Sequence, residues 1–244
     1  LAGGLLTLTS RLYDYDLGVP GSVTFPTPND RQNSRAWISS LTWTRERLRN
    51  RDTVRLGYWD QEIEFNYTDF SGTLQHSQGE PGFRGAGWQH DFIGDESEIS
   101  VGIDRRRFEG DFDDSSLGRY SAENDQTSAF GQVQWRPDDW RFVGSVRWQD
   151  EDLFGSETTW RVGATRLFDG GRWGAWANYA TGYRVPTFNE LYYPGSGNPD
   201  LRPETSKSWE VGVFNQLESG DIIDLVYFNN DFEDLIEWRE VSQY

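Results

Sequence analysis

The chain has 244 residues, with 40 acidic against 23 basic side chains and a formal net charge of −17. Its mean hydropathy is −0.76, yet 12 Trp, 11 Tyr and 15 Phe raise the aromatic share to 16%. A disordered acidic chain would lack those rings, and the negative charge argues against nucleic acid, whose phosphates need a basic face. No run approaches the ~18 consecutive apolar residues of a membrane helix. Cysteine is absent, which removes a disulfide framework, a thiol nucleophile and a cysteine zinc site.

The chain opens with Leu1-Ala2-Gly3-Gly4 and runs straight into strand-like sequence, without a signal peptide. It reads as a piece of something longer. A long connection is expected over Asp16–Arg35, followed by alternation of Trp37, Ser39, Leu41 and Trp43 against Ile38, Ser40, Thr42 and Thr44. Period two of this kind belongs to strands with two different faces. A short turn at Leu48–Asp52 leads to a second long connection, Asn66–Gly82. The turn at Gly94–Ser97 precedes a third, Glu109–Asp125.

Past the turn at Pro137–Asp139, Trp140, Phe142, Gly144, Val146 and Trp148 share one parity, against Arg141, Val143, Ser145, Arg147 and Gln149. Asp152–Ser156 connects to the next strand and Asp169–Gly171 turns back. Trp173, Ala175, Ala177 and Tyr179 then alternate again. The connection Arg184–Ser206 is long. Trp209, Val211 and Val213 follow, then a turn at Ser219–Asp221 and a last strand over Ile222–Phe232.

Short and long connections thus alternate, as short periplasmic turns and long extracellular loops do in a transmembrane barrel. From Trp140 to Trp148 is about 26 Å of strand at ~3.3 Å per residue. Tilted by ~40°, it covers about 20 Å of membrane normal, near the height of an apolar band between two aromatic girdles. Seven rings head the apolar parity and are expected to face outward: Trp37, Trp43, Trp140, Trp148, Trp160, Trp173 and Trp209. Arg166 and Asn215 break that parity close to short turns, where a long or polar side chain can reach headgroups. The sum is an all-β fold of about eleven up-and-down antiparallel strands, too many for a flat open sheet. Residues 1–244 read as one partial barrel domain, with no linker or second domain.

The most informative segment is Tyr179-Ala180-Thr181-Gly182-Tyr183-Arg184-Val185-Pro186-Thr187-Phe188-Asn189-Glu190-Leu191-Tyr192, followed by Gly197-Asn198-Pro199-Asp200-Leu201-Arg202-Pro203-Glu204. Its prolines fix φ and remove backbone donors, so the connection must be ordered without a strand ladder. The segment resembles a hallmark of TonB-dependent receptors: Gly-aromatic-Arg-x-Pro-x-Phe-x-Glu-Leu-Tyr, then Gly-Asn-Pro-x-Leu-x-Pro-Glu. Tyr227-Phe228-Asn229-Asn230-Asp231-Phe232-Glu233-Asp234-Leu235-Ile236 resembles a strand end of the same family. More loosely, Gly18-Val19-Pro20-Gly21 resembles the cobalamin (vitamin B12) branch.

The resemblance implies a barrel of about 22 strands around a plug. It also implies uptake of a corrinoid or another scarce small molecule across the outer membrane of a Gram-negative bacterium, energised by TonB. The chain itself would supply only part of the wall and loops, in contact with outer-membrane lipid, and TonB would meet only the full-length parent. Alternatives are a siderophore receptor of the same fold, or a non-membrane β-sheet adhesin or carbohydrate binder. By the same resemblance, Arg184, Pro186, Phe188, Asn189, Glu190, Tyr192, Asn198, Pro199 and Glu204 form a ligand or loop motif. Arg184, Glu190 and Glu204 would brace the loop or touch plug or ligand, and the simpler reading is loop ordering alone.

No cofactor is required, but calcium is implied. In cobalamin receptors early Asp-rich loops bind it, and the matching residues would be Asp14 or Asp16, Asp30 and Asp69, although the counterpart near Asn66 lacks a carboxylate. An oxygen-rich cluster suits such a hard cation. His76 and His90 are the only histidines, and no catalytic triad or His-based metal site assembles around them. The chain is therefore read as a binding and transport protein, not an enzyme.

Overall fold

Alternation of ring and polar side chain leaves each segment one apolar face, and strand pairing is the arrangement that keeps all such faces on one side. The computed structural model describes residues 3–20, 26–69 and 71–237. Gly21 and the C-terminal Tyr244 lie outside the described residues. Eleven strands follow in chain order: β1 (Leu5–Gly18), β2 (Arg31–Arg47), β3 (Asn50–Thr68), β4 (Leu74–Ile93), β5 (Ser97–Asp114), β6 (Gly118–Trp135), β7 (Trp140–Glu151), β8 (Gly155–Phe168), β9 (Trp173–Arg184), β10 (Glu204–Gln216) and β11 (Ile222–Glu233). Each pairs antiparallel with the next, so sheet order equals chain order, and β1 and β11 are the two edges.

Register carries the apolar parity across the wall. Trp43 lies opposite Val54, Val54 opposite Trp88, Trp88 opposite Ile103, Ile103 opposite Ala129, and Ala129 opposite Trp148. Val146 faces Trp160, Val162 faces Tyr179 and Tyr179 faces Trp209. Trp37, Trp140 and Trp173 share parity with Trp43, Trp148 and Tyr179. All seven expected rings therefore stand on one face.

Among the described residues nothing covers that face. Trp37 is 47% exposed, Trp148 42% and Trp173 52%. Among the described residues the only buried hydrophobic side chains are Ala36 and Leu191, while Asp91, Ser100, Asn124, Ser128 and Glu151 are buried. A water-soluble protein has the opposite distribution. The buried polar residues all lie on the parity opposite the tryptophans, where side chains crowd as they do on the inside of a curved wall. That crowding is built partly on glycine. A Cβ at Gly102 would sit 2.5 Å from the Phe130 ring and 2.7 Å from the Trp88 carbonyl, and one at Gly212 would sit 2.5 Å from the Trp176 ring. Large rings on this face thus lie over bare backbone of the neighbouring strand.

The two ends of the sheet differ, with a correction to the expected boundaries. At one end the connections are 48–49, 94–96, 136–139, 169–172 and 217–221, all short. At the other, 19–30 and 185–203 are long, but 69–73, 115–117 and 152–154 are tight tips of long hairpins. The segments Asn66–Gly82 and Glu109–Asp125, expected as loops, are mostly strand. Their polar residues continue the ladder because they pair across it: Arg84 with Glu109 at 2.5 Å, Arg105 with Asp125 at 2.9 Å, and Arg107 with Glu123. Opposite charges on diagonal neighbours of adjacent strands stabilise a ladder without any apolar face. Gly118, at φ 104°, supplies the left-handed residue that closes a three-residue tip. Asp114 holds the same tip by accepting from the backbone N–H of Ser116 at 2.9 Å and of Leu117 at 3.0 Å.

Candidate functional site: the ordered loop on the polar face

The loop between β9 and β10 folds onto the polar face. After Arg184, Val185-Pro186 directs the chain into α1 (Phe188–Tyr192), a single helical turn that no sequence periodicity announced. Thr187 caps it: its hydroxyl accepts from Glu190 N at 3.2 Å, while the Glu190 carboxylate accepts from Thr187 N at 2.7 Å. Such a reciprocal box satisfies two otherwise orphaned backbone donors. Beyond the helix, Gly197 N donates to Tyr193 O at 2.7 Å and Asn198 N to Glu190 O at 2.8 Å. The Asn198 side chain then accepts from Asp200 N at 3.0 Å, with Pro199 inside that turn and Pro203 after it.

Arg184 joins the two halves of the motif. Its Nε and Nη2 donate to Glu204 at 2.5 and 2.8 Å, and its two terminal nitrogens donate to Glu190 at 3.1 Å each. Arg184 and Glu204 are also register partners at the end of the β9–β10 ladder. Glu204 accepts in turn from Ile236 N at 2.7 Å, which ties in the chain beyond β11. A planar guanidinium can serve two carboxylates this way, and a lysine cannot.

The helix is seated by rings. The Tyr120 hydroxyl donates to the Asn189 side chain, and Tyr120 stacks on Phe112 with centroids 4.8 Å apart. Tyr192 lies 6.4 Å from Tyr120, and Leu191 is buried. Beneath the loop, a cavity of about 320 Å³ is lined by Phe108, Asn124, Gln126, Glu151, Pro186 and Phe188 among others. Glu151 is 2% exposed and accepts from Asn124 at 2.5 Å, from Gln126, and from Gln149 at 3.1 Å. Lower on the same face, Arg147 donates to both Asp104 oxygens at 3.1 and 3.0 Å and to Ser128 at 2.7 Å. Sequence reasoning assigned none of these deeper residues to a site, and placed only Arg147 and Gln149 on the polar parity of their strand.

The four acids assigned to calcium are not brought together. Asp14 faces Arg35 at 3.5 Å and Asp16 faces Arg31 at 2.6 Å, both on the tryptophan-bearing face. Asp30 accepts from the N–H and hydroxyl of Thr68, each at 2.9 Å. Asp69 closes its own turn by accepting from the hydroxyl of Ser71, Gln75 and Thr73 N, which push its pKa down to about 2. Each carboxylate thus already has its own protein partners. Among the described residues no three His, Cys, Asp or Glu side chains gather where a metal could be held. This donor set does not fit one shared ion. The histidines sit near opposite ends of β4, His76 on Asn66 and His90 on Asp52.

Burial raises the pKa of Glu190, but Arg184 and the N–H and hydroxyl of Thr187 outweigh it, and the net direction is down. A lowered pKa contributes stability above the ordinary glutamate range that is lost as pH falls through the folded-state value. Backbone N–H groups of 187–198 should therefore exchange faster at about pH 3 than at about pH 6, after correction for intrinsic rate. Unchanged protection would mean that the ion pair does not hold the loop.

Residues 3–244 match the family model described as TonB dependent receptor-like, beta-barrel. The chain belongs to this family. Its members are receptors and transporters rather than enzymes. Among the curated relatives of this TonB-dependent barrel chain, the vitamin B12 transporter BtuB of Photobacterium profundum is 34% identical over 156 residues, covering 63% of this chain and 25% of the relative. BtuB of Vibrio vulnificus is 33% identical over 141 residues, covering 57% and 23%. The chain thus spans about a quarter of the curated relatives it matches. Solved structures share its fold at low identity. The Serratia marcescens hemophore receptor HasR has a TM-score of 0.73 at 14% identity, covering 94% of this chain and 43% of that one. The Pseudomonas aeruginosa ferric enterobactin receptor PfeA has 0.73 at 15%, covering 93% and 40%. The copper transporter OprC has 0.70 at 13%, covering 88% and 41%.

Proposed function

We propose that this chain forms part of the wall of an outer-membrane receptor of a Gram-negative bacterium, which takes up cobalamin or a related corrinoid with energy delivered through TonB to the full-length parent. The membrane reading rests on one observation above all: a face of exposed tryptophans that none of the described residues covers, backed by a crowded polar face. A soluble adhesin or carbohydrate binder would leave that apolar area against water. Lipid satisfies it. The corrinoid reading rests on the BtuB relatives, which match more than half of the chain. The solved neighbours are named for heme, enterobactin and copper, but at 13–15% identity they speak to fold alone.

Labelled cyanocobalamin should accumulate in cells that carry the full-length parent and lack any other cobalamin receptor. Accumulation should stop when TonB is deleted, and excess ferric catecholate should not compete. Saturable uptake of the ferric chelate without cobalamin uptake would replace the corrinoid with a siderophore. A full-length parent that stays in aqueous solution without detergent would remove the membrane reading.

A further inference from the structure

The tryptophan-bearing face changes character at the short-turn end, between β2 and β4. On β2, Trp43, Arg45 and Arg47 succeed one another on that face. Arg45 lies opposite Asp52 and Arg47 opposite Asn50 in the register with β3. Trp88 shares the face and adjoins Val54, the partner of Trp43. The turn at 48–49 follows directly. On β2 the indole of Trp43 thus closes the apolar run and two guanidiniums stand just beyond it, while on β4 exposed Phe92 keeps a ring at the register level of Arg47.

Neighbouring arginines have counter-charges. Arg49 meets Asp95 at 3.0 Å, and Arg51, on the polar face, meets Asp91 at 2.7 Å. Arg166 stands near the short-turn end of the tryptophan-bearing face on β8. It lies over the Trp140 ring at 5.0 Å and the Phe168 ring at 5.7 Å, with Asp139 at 3.8 Å. Arg45 and Arg47 differ. Among the described residues neither side chain makes a hydrogen bond or ion pair: Arg47 feels Asp52 only through longer-range attraction, and Arg45 Nε is sealed from solvent without an acceptor. The one carboxylate facing Arg45, Asp52, is turned to His90 Nδ1 at 2.7 Å.

An unpartnered guanidinium beside an apolar surface wants an anion that the protein does not provide. Its planar fork matches the oxygens of a phosphate. One step beyond a tryptophan girdle is the level of the lipid headgroups. We propose that Arg45 and Arg47, flanked by Trp43 and Trp88, bind the phosphate of an anionic phospholipid headgroup. The lipid's acyl chains lie along the apolar band above them. The inference rests on the membrane reading of this face.

The test uses the full-length receptor, purified in mild detergent and offered phosphatidylglycerol or phosphatidylcholine, with retained lipid counted by native mass spectrometry. Phosphatidylglycerol should be retained in preference. Arg45→Gln with Arg47→Gln should weaken retention by roughly fivefold for each arginine removed. Arg161→Gln, on the opposite face, should leave it unchanged. Heat-modifiable gel migration reports folding in every case. If the double variant does not fold, the single change at exposed Arg47 must still lower retention. Undiminished retention in the variants overturns the proposal, as does equal loss in Arg161→Gln. Displacement of the lipid by millimolar inorganic phosphate overturns it in favour of a free-anion site. A receptor that never enters membranes fails the earlier reading, whereas one that inserts without headgroup preference overturns this inference alone.

Discussion

Arginine at position 146 should destabilise the barrel far more than arginine one residue away at position 145. Val146 is 49% exposed on the tryptophan-bearing face, opposite Gly131 and Trp160. It lies between the rings of Trp140 and Trp148, inside the apolar band. A cation introduced there must lose its hydration to lipid, at a cost of about 2–4 kcal/mol near the bilayer midplane. Ser145 points to the other face, opposite Gln132 and Arg161. A second guanidinium there meets mild like-charge repulsion across strands, worth less than ~1 kcal/mol. Urea unfolding of the full-length parent in lipid vesicles reads the difference directly. Equal costs at the two positions would mean that both faces meet water, and the membrane reading would fall.

The faces of this wall could be read from the sequence because period two is a local property. Each of the seven tryptophans heads a run whose parity is visible without knowing any partner. The strand ends were harder. Polar, glycine-containing stretches around Asn66–Gly82 and Glu109–Asp125 look like loops until cross-strand charge pairs are known, and those depend on register. The tight tip at 115–117 depends on the positive φ of Gly118 and on Asp114 accepting from two backbone N–H groups, a conformation that composition does not disclose.

Sites divide the same way. Arg184, Glu190 and Glu204 belong to one stretch of chain and were named through family resemblance, and the structure joins them. Glu151 and its amide donors come from β6 and β7 and meet only through pairing. The assignment of Asp14 and Asp16 to a calcium site failed to anticipate Arg35 and Arg31. Those arginines lie on the adjacent strand, on the same face as the acids.

Arg184→Ala should be the most damaging single change in the loop. Glu190 and Glu204 have side chains only 13% and 12% exposed, and Arg184, at 43%, is the cation between them. Removing it leaves two carboxylates close together, largely shielded from water and without their main donor. Breaking a fully buried pair costs ~3–5 kcal/mol, and the partial exposure of Arg184 lowers the expectation to roughly 2–3 kcal/mol. The loss should be local at first: protection of 185–203 should collapse while the ladder of β3 to β6 keeps its own. Arg184→Lys keeps the charge but not the fork, so it should recover only part of the stability. Adding Glu190→Gln and Glu204→Gln to Arg184→Ala removes the stranded charges and should recover more than half of the loss. Chemical unfolding of the four proteins separates these terms. If Arg184→Ala unfolds within ~0.5 kcal/mol of the parent, which is the scatter of an ordinary surface change, then the capping box and the Tyr120–Asn189 contact hold the loop without Arg184.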